Sequence, residues 1–434
     1  MNQLTSKKAG PLKGNITVPG DKSISHRSLI MGALAVGESR ISGLLEGEDV
    51  LGTAAALRAF GADIYKDTVG DWHVHGVGIS GLRQPEEPLD MGNSGTGVRL
   101  LMGLVATHPI KVTFTGDASL SSRPMKRVTD PLSEFGAKFI GDNNGTLPIT
   151  VQGAKTPMPI SYTLPVASAQ VKSAVMLAGL NTPGQTTVVE NIPTRDHSER
   201  IFQYFGVPIQ IDGENINVRG HAELTAKDMA VPADPSSAAF LVVAALITKG
   251  SDIIVKNVGM NPARTGIFKT LIEMGGDINF ENSRQECGED VADIRVKYSA
   301  LAGVIVPHDR APSMIDEYPV LCVAAASATG ETVMRGIEEL RVKESDRIAV
   351  MVRGLKSCGV EVTEHTDGMT IKKSTVHGTE PIKTELDHRI AMSFAVAALR
   401  ASAPIIIEGV DSVATSFPNF VELARGAGLK LEAK

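Results

Sequence analysis

Four short segments combine basic side chains with glycine or small hydroxyl residues, a combination that can hold a phosphate. They are GDKSISHR (residues 20–27), GNSGTGVR (92–99), RVKESDR (341–347) and DHRIAM (387–392). In the first segment Gly20 permits close backbone approach, while Lys22, Ser23 and Arg27 could grip a phosphate through charge-assisted hydrogen bonds. The segments therefore predict binding of anionic, phosphorylated ligands.

Each segment taken alone has a plainer structural explanation. GDKSISHR could be a capped helix with solvated charges, and GNSGTGVR could be a simple tight turn. RVKESDR could be a surface helix with intrahelical ion pairs, because Lys343 and Arg347 would lie four apart on one helix face with Glu344 beside them. DHRIAM could be an exposed helix cap. The functional interpretation rests on the four segments together.

Most of the cations fall near the predicted starts of apolar helices. Residues suited to N-caps precede these helices: Ser25, Asn93 or Ser94, Ser168, Asp234 or Ser236, Asp316 and Asp387. Around them lie Lys22, Ser23, Arg27, Arg99, Arg123, Lys172, Arg195, Lys343, Arg347 and Arg389. A helix N-terminus carries about half a positive charge, so nearby cations are unfavourable for the helix itself. Their presence indicates that these positions serve an anionic ligand.

The motifs of several other chemistries are missing from the sequence. It contains no GxxxxGK[ST], no GxGxxG that opens a helix after a strand, no GxSxG and no HExxH. The three cysteines form no CxxC pair. Three histidines near the basic segments are too scattered for a metal site (His26, His197 and His388). We therefore expect neither a metal nor a cofactor.

Length and composition are those of a globular protein. The 434 residues suggest two to three domains, and a net charge of −6 argues against a general nucleic-acid binder. Apolar helical segments are interrupted well before about 18 residues, so no membrane span is expected. The N-terminal MNQLTSKKAG lacks the apolar core of a signal peptide. These features predict a cytoplasmic enzyme.

An internal repeat organises the chain. Six amphipathic segments end in a glycine that is followed by a short apolar strand, at Gly61, Gly136, Gly206, Gly275, Gly359 and Gly428. Each glycine is suited to close a helix through a left-handed residue. Each copy also has a second, more apolar helix, such as TGVRLLMGLVA, that should be buried. The copies recur about every 70 to 85 residues, which predicts three units in each half.

The repeat also predicts the domain boundaries. VPGDKSISHRSL (residues 18–29) and VPADPSSAAFL (231–241) look like equivalent entries into the two halves. If the first strand pairs with the C-terminal half, the domains are residues 20–231 and residues 1–19 plus 232–434. Two chain crossings would then form a hinge, and the interdomain cleft would be the active site.

With these residues assembled, the whole chain resembles the 5-enolpyruvylshikimate-3-phosphate synthase family, from GPLKG near Gly10 to FPNF at Phe417. The segments SAQVK (168–172), RDHSE (195–199) and SMIDEYP (313–319) are similar to the branch called class II. The resemblance implies an α/β (α+β) protein with the two-domain enolpyruvyl transferase fold. That fold is an inside-out α/β barrel of six βαβαββ units, three per domain.

The resemblance also implies a reaction and a set of site residues. The family transfers the enolpyruvyl group of phosphoenolpyruvate to the 5-hydroxyl of shikimate 3-phosphate by addition and elimination, releasing phosphate. Lys22, Ser23 and Arg27 would contact both substrates. Shikimate 3-phosphate would meet Ser168, Ala169, Gln170 and Arg195, and phosphoenolpyruvate the GNSGT turn with Arg123, Arg347 and Arg389. The remaining matches in the family pattern are Asn93, Gly95, Thr96, Asp316, Lys343 and Glu344.

Two carboxylates are the candidates for proton transfer. Asp316 is the predicted base for the hydroxyl proton, and Glu344, with help from Lys22, is predicted to serve the methylene carbon. We expect a monomer that binds only these small molecules. Family members tolerant of the inhibitor glyphosate often have alanine where Gly95 stands, so a sensitive or intermediate enzyme is expected. One departure from the class II pattern is Ala263, where threonine is usual.

Two rival functions use the same residues differently. The UDP-N-acetylglucosamine enolpyruvyl transferases share the fold, but they typically have a GAKN-like segment and a cysteine in the first half. This chain has GDKS and no cysteine before Cys287. A non-catalytic sensor of phosphorylated ligands is the other rival, although binding alone would not need Asp316, Lys343 and Glu344 together.

Overall fold

One βαβαββ unit recurs through a computed structural model that describes residues 2–142, 144–378 and 380–434. Strands and helices are numbered in chain order. The N-terminal strands are β1 Gln3–Lys7 and β2 Lys13–Ile16. The next elements are α1 Lys22–Leu34, β3 Glu38–Ser42, α2 Glu48–Ala59, β4 Asp63–Lys66, β5 Trp72–His75, β6 Leu89–Asp90, α3 Gly95–Val105, β7 Lys111–Thr115, α4 Ala118–Ser121, α5 Lys126–Glu134, β8 Lys138–Ile140, β9 Ile149–Gln152, β10 Ser161–Thr163, α6 Ala169–Leu180, β11 Gln185–Val189, α7 His197–Tyr204, β12 Ile209–Asp212, β13 Asn215–Arg219 and β14 Met229–Ala230.

The second half of the chain continues the same alternation. Its elements are α8 Pro235–Ile247, β15 Asp252–Gly259, α9 Gly266–Glu273, β16 Asp277–Glu286, β17 Glu289–Lys297, β18 Ile305–Val306, α10 Tyr318–Ser327, β19 Glu331–Met334, α11 Arg347–Ser357, β20 Val362–His365, β21 Gly368–Lys372, β22 Ile382–Lys383, α12 His388–Ala397, β23 Ile405–Glu408, α13 Phe420–Gly426 and β24 Lys430–Ala433. Short 3-10 helices span His308–Ser313, Glu338–Val342, Ala398–Arg400 and Asp411–Thr415.

The described strands form six four-stranded sheets that share one topology. In the sheet ordered β6-β7-β9-β8, β6 and β7 are parallel and are joined by helix α3, whereas β8 and β9 form an antiparallel hairpin. A parallel pair needs such a crossover, and a hairpin does not. Three sheets are completed by strands distant in sequence: β14 pairs with β3, β2 pairs with β15, and β1 pairs antiparallel with both β23 and β24.

The six predicted helix-ending glycines are confirmed as left-handed residues. Their φ angles lie between 76° and 112°, a region that a residue with a Cβ rarely adopts: Gly61, Gly136, Gly206, Gly275, Gly359 and Gly428. Each follows the end of a half-exposed helix and precedes a strand or extended segment. The repeat visible in the sequence is therefore a repeat of backbone conformation.

The more apolar helices form the two hydrophobic cores. Helices α1, α3 and α6 are largely buried in one core, and α8, α10 and α12 in the other. Helix α8 is buried along its whole length. Helices α3 and α6 pack closely, since a Cβ on Gly103 would lie 2.4 Å from the carbonyl oxygen of Ala174. None of the described helices combines the length and apolarity needed to cross a membrane.

The chain divides into two compact units, each with its own core. We call Gly20–Val231 together with Glu286–Glu289 the N-terminal unit, and Met1–Pro19, Pro232–Gln285 and Asp290–Lys434 the C-terminal unit. The predicted division placed all of 232–434 in one domain. The segment Glu286–Glu289 departs from that division because its side chains contact the N-terminal unit.

A histidine on strand β5 is expected to make the free energy of unfolding depend on pH. His73 Nδ1 bonds Glu38 and Nε2 bonds Asp67 at 3.1 Å, and these hydrogen bonds raise the pKa of His73 above its usual 6.5. Because the folded pKa is raised, the stabilisation is complete below about pH 6.5 and is lost as pH rises through the folded value. We expect His73→Gln to lower the melting temperature more at pH 6 than at pH 9. An equal decrease at both pH values would contradict this origin.

Candidate active site

The predicted site residues form one group in each compact unit. The N-terminal unit contains Lys22, Ser23, Arg27, Asn93, Gly95, Thr96, Arg123, Ser168, Ala169, Gln170 and Arg195, and we call these the Arg27 group. The C-terminal unit contains Asp316, Lys343, Glu344, Arg347 and Arg389, and we call these the Arg347 group. Most of them stand at or just before the first turn of a buried helix.

Four of the predicted N-caps are confirmed and two are wrong. Ser94, Ser168, Asp234 and Asp387 accept hydrogen bonds from the first turns of α3, α6, α8 and α12. Helix α1, however, begins at Lys22, because Asp21 accepts from the Ile24 amide at 2.9 Å, and Ser25 already lies inside the helix. Asp316 is also not a cap, since α10 begins after Glu317. The earlier start places Lys22 and Ser23 in the first turn of α1.

Arg27 is buried in a nest of hydroxyl groups. Its Nε donates to Ser198 Oγ at 2.8 Å, and its Nη2 donates to Ser173 Oγ at 2.7 Å. Burial lowers the pKa of Arg27 to about 10; the charge of Glu199 opposes this effect, and the charge of Arg195 adds to it. Two guanidinium groups that disfavour each other are thus held within electrostatic reach. An anionic ligand between such groups would relieve their repulsion.

The starts of α3 and α6 are joined by hydrogen bonds between predicted site residues. Gln170 Nε2 donates to Thr96 Oγ1 at 3.0 Å, and Gln170 Oε1 accepts from Arg99 Nη1 at 2.8 Å. Beside them, Arg123 Nη2 donates to Asn93 Oδ1 at 2.6 Å. The structure therefore brings the GNSGT turn, Arg123 and the SAQ segment together, as the resemblance implied. It adds Arg99, which the family pattern did not single out.

Lys22 and Lys172 differ in how their charges are balanced. Lys22 forms an ion pair with Asp49 and keeps 21% of its side chain exposed. Lys172 is completely buried and pairs with Glu190 at 3.0 Å and with Glu199 at 2.7 Å. The predicted role of Lys172 as a cation available to ligands is therefore wrong. Its helix start is buried against two carboxylates, which compensate its charge within the protein.

Arg347 is the centre of the second group. Its side chain is 1% exposed and contacts three carboxylates: Nε lies 2.8 Å from Asp387, Nη1 3.2 Å from Asp316 and Nη2 2.6 Å from Glu344. Burial lowers the pKa of Arg347, but the charges of Asp387, Glu344 and Asp316 outweigh it and raise the pKa overall. The guanidinium thus orients Asp316 and Glu344, the two predicted proton-transfer carboxylates, from one fixed point.

Arg389 joins this arrangement from the first turn of α12. Its Nη1 donates to the backbone oxygen of Asp316 at 3.2 Å, and its Nε lies 3.9 Å from the Asp316 carboxylate. Glu317 Oε1 lies 3.6 Å from Arg389 Nη1. The Arg389 side chain keeps 13% of its surface exposed while it contacts Asp316.

The predicted helix through RVKESDR is not formed. Helix α11 begins only at Arg347, because Asp346 caps it by accepting from the Ala349 amide at 3.0 Å. Residues 343–346 are irregular, so Lys343 and Arg347 do not share a helix face. Lys343 instead lies 3.5 Å from Glu339. Lys343 thus differs from the rest of the Arg347 group, because its ion pair is with Glu339, outside the group.

Several residues important for the geometry were not predicted as site residues. Asp387 is completely buried and accepts from Ser345 at 3.1 Å and from Arg347 at 2.8 Å. Arg264 is buried and donates to Asp234 and Ser236, and Ser236 in turn bonds Glu317. Asp387 could have been predicted from the sequence, since an acidic residue directly precedes an apolar helix. The contacts of Arg264 could not have been predicted, because its partners lie far from it in the sequence.

Comparisons with known proteins agree with this arrangement. The model of the EPSP synthase (3-phosphoshikimate 1-carboxyvinyltransferase) family matches residues 6–423. The curated 3-phosphoshikimate 1-carboxyvinyltransferase of Parvibaculum lavamentivorans is 58% identical over 434 residues, covering 98% of this chain and 96% of the relative. That of Cereibacter sphaeroides is 56% identical over 435 residues, covering 99% and 98%.

Solved structures confirm the predicted fold. EPSP synthase from Acinetobacter baumannii superposes with a TM-score of 0.90 at 45% identity and covers 100% of both chains. The enolpyruvyl transferase NikO from Streptomyces tendae has a TM-score of 0.77 over 99% of this chain and 98% of its own, and at 18% identity it supports the fold alone. With the family model spanning nearly all of its length, this chain belongs to the EPSP synthase family.

Proposed function

We propose that the chain is a 3-phosphoshikimate 1-carboxyvinyltransferase. It transfers the enolpyruvyl group of phosphoenolpyruvate to the 5-hydroxyl of shikimate 3-phosphate and releases phosphate, a step of aromatic amino-acid synthesis. The observation that carries the proposal is the family match over residues 6–423 together with two ordered groups of cations and carboxylates.

The Arg27 group supplies most of the proposed substrate contacts. Lys22, Ser23 and Arg27 contact both substrates, and shikimate 3-phosphate is held by Arg195 and the start of α6 (Ser168, Ala169 and Gln170). Phosphoenolpyruvate is held by Gly95, Arg123, Arg347 and Arg389, and Asn93, Thr96 and Lys343 are further substrate-binding residues. The electrostatic interaction between buried Arg27 and half-buried Arg195 supports the phosphate assignment, since two positive charges suit an anionic group.

The carboxylates of the Arg347 group perform the proton transfers. Asp316 removes the proton of the attacking hydroxyl, and Glu344, with Lys22, delivers a proton to the methylene carbon and later removes one. Their common contact with Arg347 supports this division, because it fixes both carboxylates in relation to one buried guanidinium. No cofactor enters the proposed reaction.

The rival enolpyruvyl transfer to UDP-N-acetylglucosamine has less support. The first half of the chain has no cysteine, and the relatives at 56% and 58% identity are named for the shikimate reaction. A ligand sensor is also less supported. Burying the charge of Arg347 costs free energy, and this buried guanidinium orients Asp316 and Glu344, which binding alone would not require.

Phosphate release from phosphoenolpyruvate tests the proposed function directly. The purified chain should release phosphate with shikimate 3-phosphate and not with UDP-N-acetylglucosamine. Release only with the sugar nucleotide would assign the chain to the rival reaction, and the absence of release with both acceptors would favour a sensor.

A cytoplasmic location and a monomeric state are part of the same proposal. The free thiols of Cys287, Cys322 and Cys358 suit a reducing compartment. Light scattering should give a mass near the 45.8 kDa of one chain, and a mass near twice that value would contradict the monomer.

Gly95 leads to a prediction on inhibitor sensitivity. A Cβ at this position would lie 3.0 Å from Arg99 Nη1 and 3.1 Å from Arg123 Nη1, so both guanidinium groups would have to shift. We expect Gly95→Ala to raise KM for phosphoenolpyruvate by about tenfold and the inhibition constant of glyphosate by more. Gly52→Ala is the matched control, since a Cβ there meets nothing within 4 Å. Unchanged inhibition in Gly95→Ala would contradict a binding role for this turn.

A further inference from the structure

The first turn of α7 is held by contacts to several other elements. His197 and Glu289 are almost completely buried, and His197 Nδ1 forms a 2.6 Å hydrogen bond with Glu289 Oε1. The next residue, Ser198, accepts from Arg27 Nε at 2.8 Å. Glu199 then pairs with Lys172 on α6. A displacement of this turn would therefore disturb the hydrogen bond that positions the Arg27 guanidinium.

Glu289 reaches this turn from a distant part of the chain. It follows β16 and opens β17, strands that belong mainly to the C-terminal unit, whereas Glu286–Glu289 groups with the N-terminal unit. Two hydrogen bonds between side chain and backbone hold the segment in place. Arg200 Nη1 donates to the Gly288 oxygen at 3.2 Å, and the Ala230 amide donates to Cys287 Sγ at 3.2 Å. The tip of the β16–β17 hairpin is thus held by Arg200 and by the backbone of Ala230.

The other side of the turn leads to the proposed phosphate contacts. Ser198 Oγ lies 2.7 Å from Ser173 Oγ, and both hydroxyls accept from the Arg27 guanidinium. Arg195 lies two residues before His197, and its charge is felt at Arg27. A carboxylate that fixes His197 therefore also limits the freedom of the two cations proposed to hold the phosphate.

We propose that Glu289, acting through His197, is a positioning residue for the shikimate 3-phosphate site. The inference rests on the proposed function, because it assigns Arg27 and Arg195 to that substrate. A buried hydrogen bond to a charged group is strong enough to fix the first turn of a short helix. Without it, α7 would keep its contact with Lys172 but would hold Arg27 and Arg195 less well.

Kinetics with each substrate varied in turn tests this inference. Glu289→Ala is expected to raise KM for shikimate 3-phosphate by about tenfold, with kcat and KM for phosphoenolpyruvate changed less than about twofold. Glu289→Gln keeps an oxygen that can accept from His197, so it should restore most of the affinity. Glu281→Ala is the matched control, since it lies in the same hairpin with 38% of its side chain exposed.

A double-mutant cycle and a binding measurement complete the test. His197→Ala and Glu289→Ala combined should raise KM little more than Glu289→Ala alone, because each variant removes the hydrogen bond between His197 and Glu289. If Glu289→Ala does not fold, calorimetric binding of shikimate 3-phosphate to folded His197→Ala should still show weakening of about tenfold. Equal changes in both KM values, or wild-type affinity in these variants, would overturn the inference. Wild-type turnover, measured first, separates that result from a failure of the proposed function.

Discussion

Asp316→Asn is expected to lower kcat by about 10²–10⁴-fold while KM for both substrates changes little. Removal of a general base costs a rate factor of this size. The asparagine oxygen can still accept from Arg347, which lies 3.2 Å from the Asp316 carboxylate, so the surrounding ion pairs should persist. Because only proton acceptance is lost, the effect should appear in kcat and kcat/KM equally. Steady-state phosphate release measures both constants.

The matched control for this variant is Asp309→Asn, an exposed carboxylate in the same unit. It should retain wild-type kinetics. The base assignment fails if Asp316→Asn keeps nearly full turnover while Asp316→Ala loses only substrate binding. That pattern would leave Asp316 as a partner of Arg347 and Arg389 and would move the role of base to another group.

Lys172→Met is expected to lower the free energy of unfolding by about 3–5 kcal/mol. The substitution preserves the length of the side chain but removes the cation that faces Glu190 and Glu199. Burial already raises the pKa of Glu199, and the charge of Lys172 opposes that effect. Breaking a buried ion pair on one side leaves an uncompensated charge, which is the costly case. Urea unfolding monitored by circular dichroism measures the loss.

Two further variants show whether charge is the cause. Lys138→Met removes an exposed lysine on β8 and should change stability by less than about 0.5 kcal/mol. The triple variant Lys172→Met/Glu190→Gln/Glu199→Gln removes all three charges and should be more stable than Lys172→Met alone. A triple variant less stable than the single one would show that hydrogen bonding and packing, rather than charge, dominate at this place.

The local features of the fold could be predicted from the sequence. The six helix-ending glycines could be predicted because a left-handed residue followed by an apolar strand depends on only a few consecutive residues. The caps Ser94, Ser168 and Asp387 were recognisable for the same reason. The cap of α1 was misplaced by one turn, because Asp21 and Ser25 are both suitable and only the backbone conformation chooses between them.

The charged residues of the candidate site could also be predicted from the sequence, but the residues with which each of them pairs could not. Lys22 and Lys172 both lie in the first turn of a buried helix, yet only for Lys172 do Glu190 and Glu199 compensate a completely buried charge. Lys343 and Arg347 looked like neighbours on a helix, and the cap at Asp346 separates them. Local spacing predicts which residues stand near a helix start, whereas burial and charge compensation depend on what packs there.

The sequence by itself determined the repeated unit, the family and the cations and carboxylates of the candidate site. Only the tertiary structure decided that Arg347 is fixed by Asp387, 40 residues away, and that His197 meets Glu289 at a separation of 92 residues. The physical reason is that caps and turns depend on a few neighbouring residues. Buried ion pairs and hydrogen bonds depend instead on which elements the whole chain packs together.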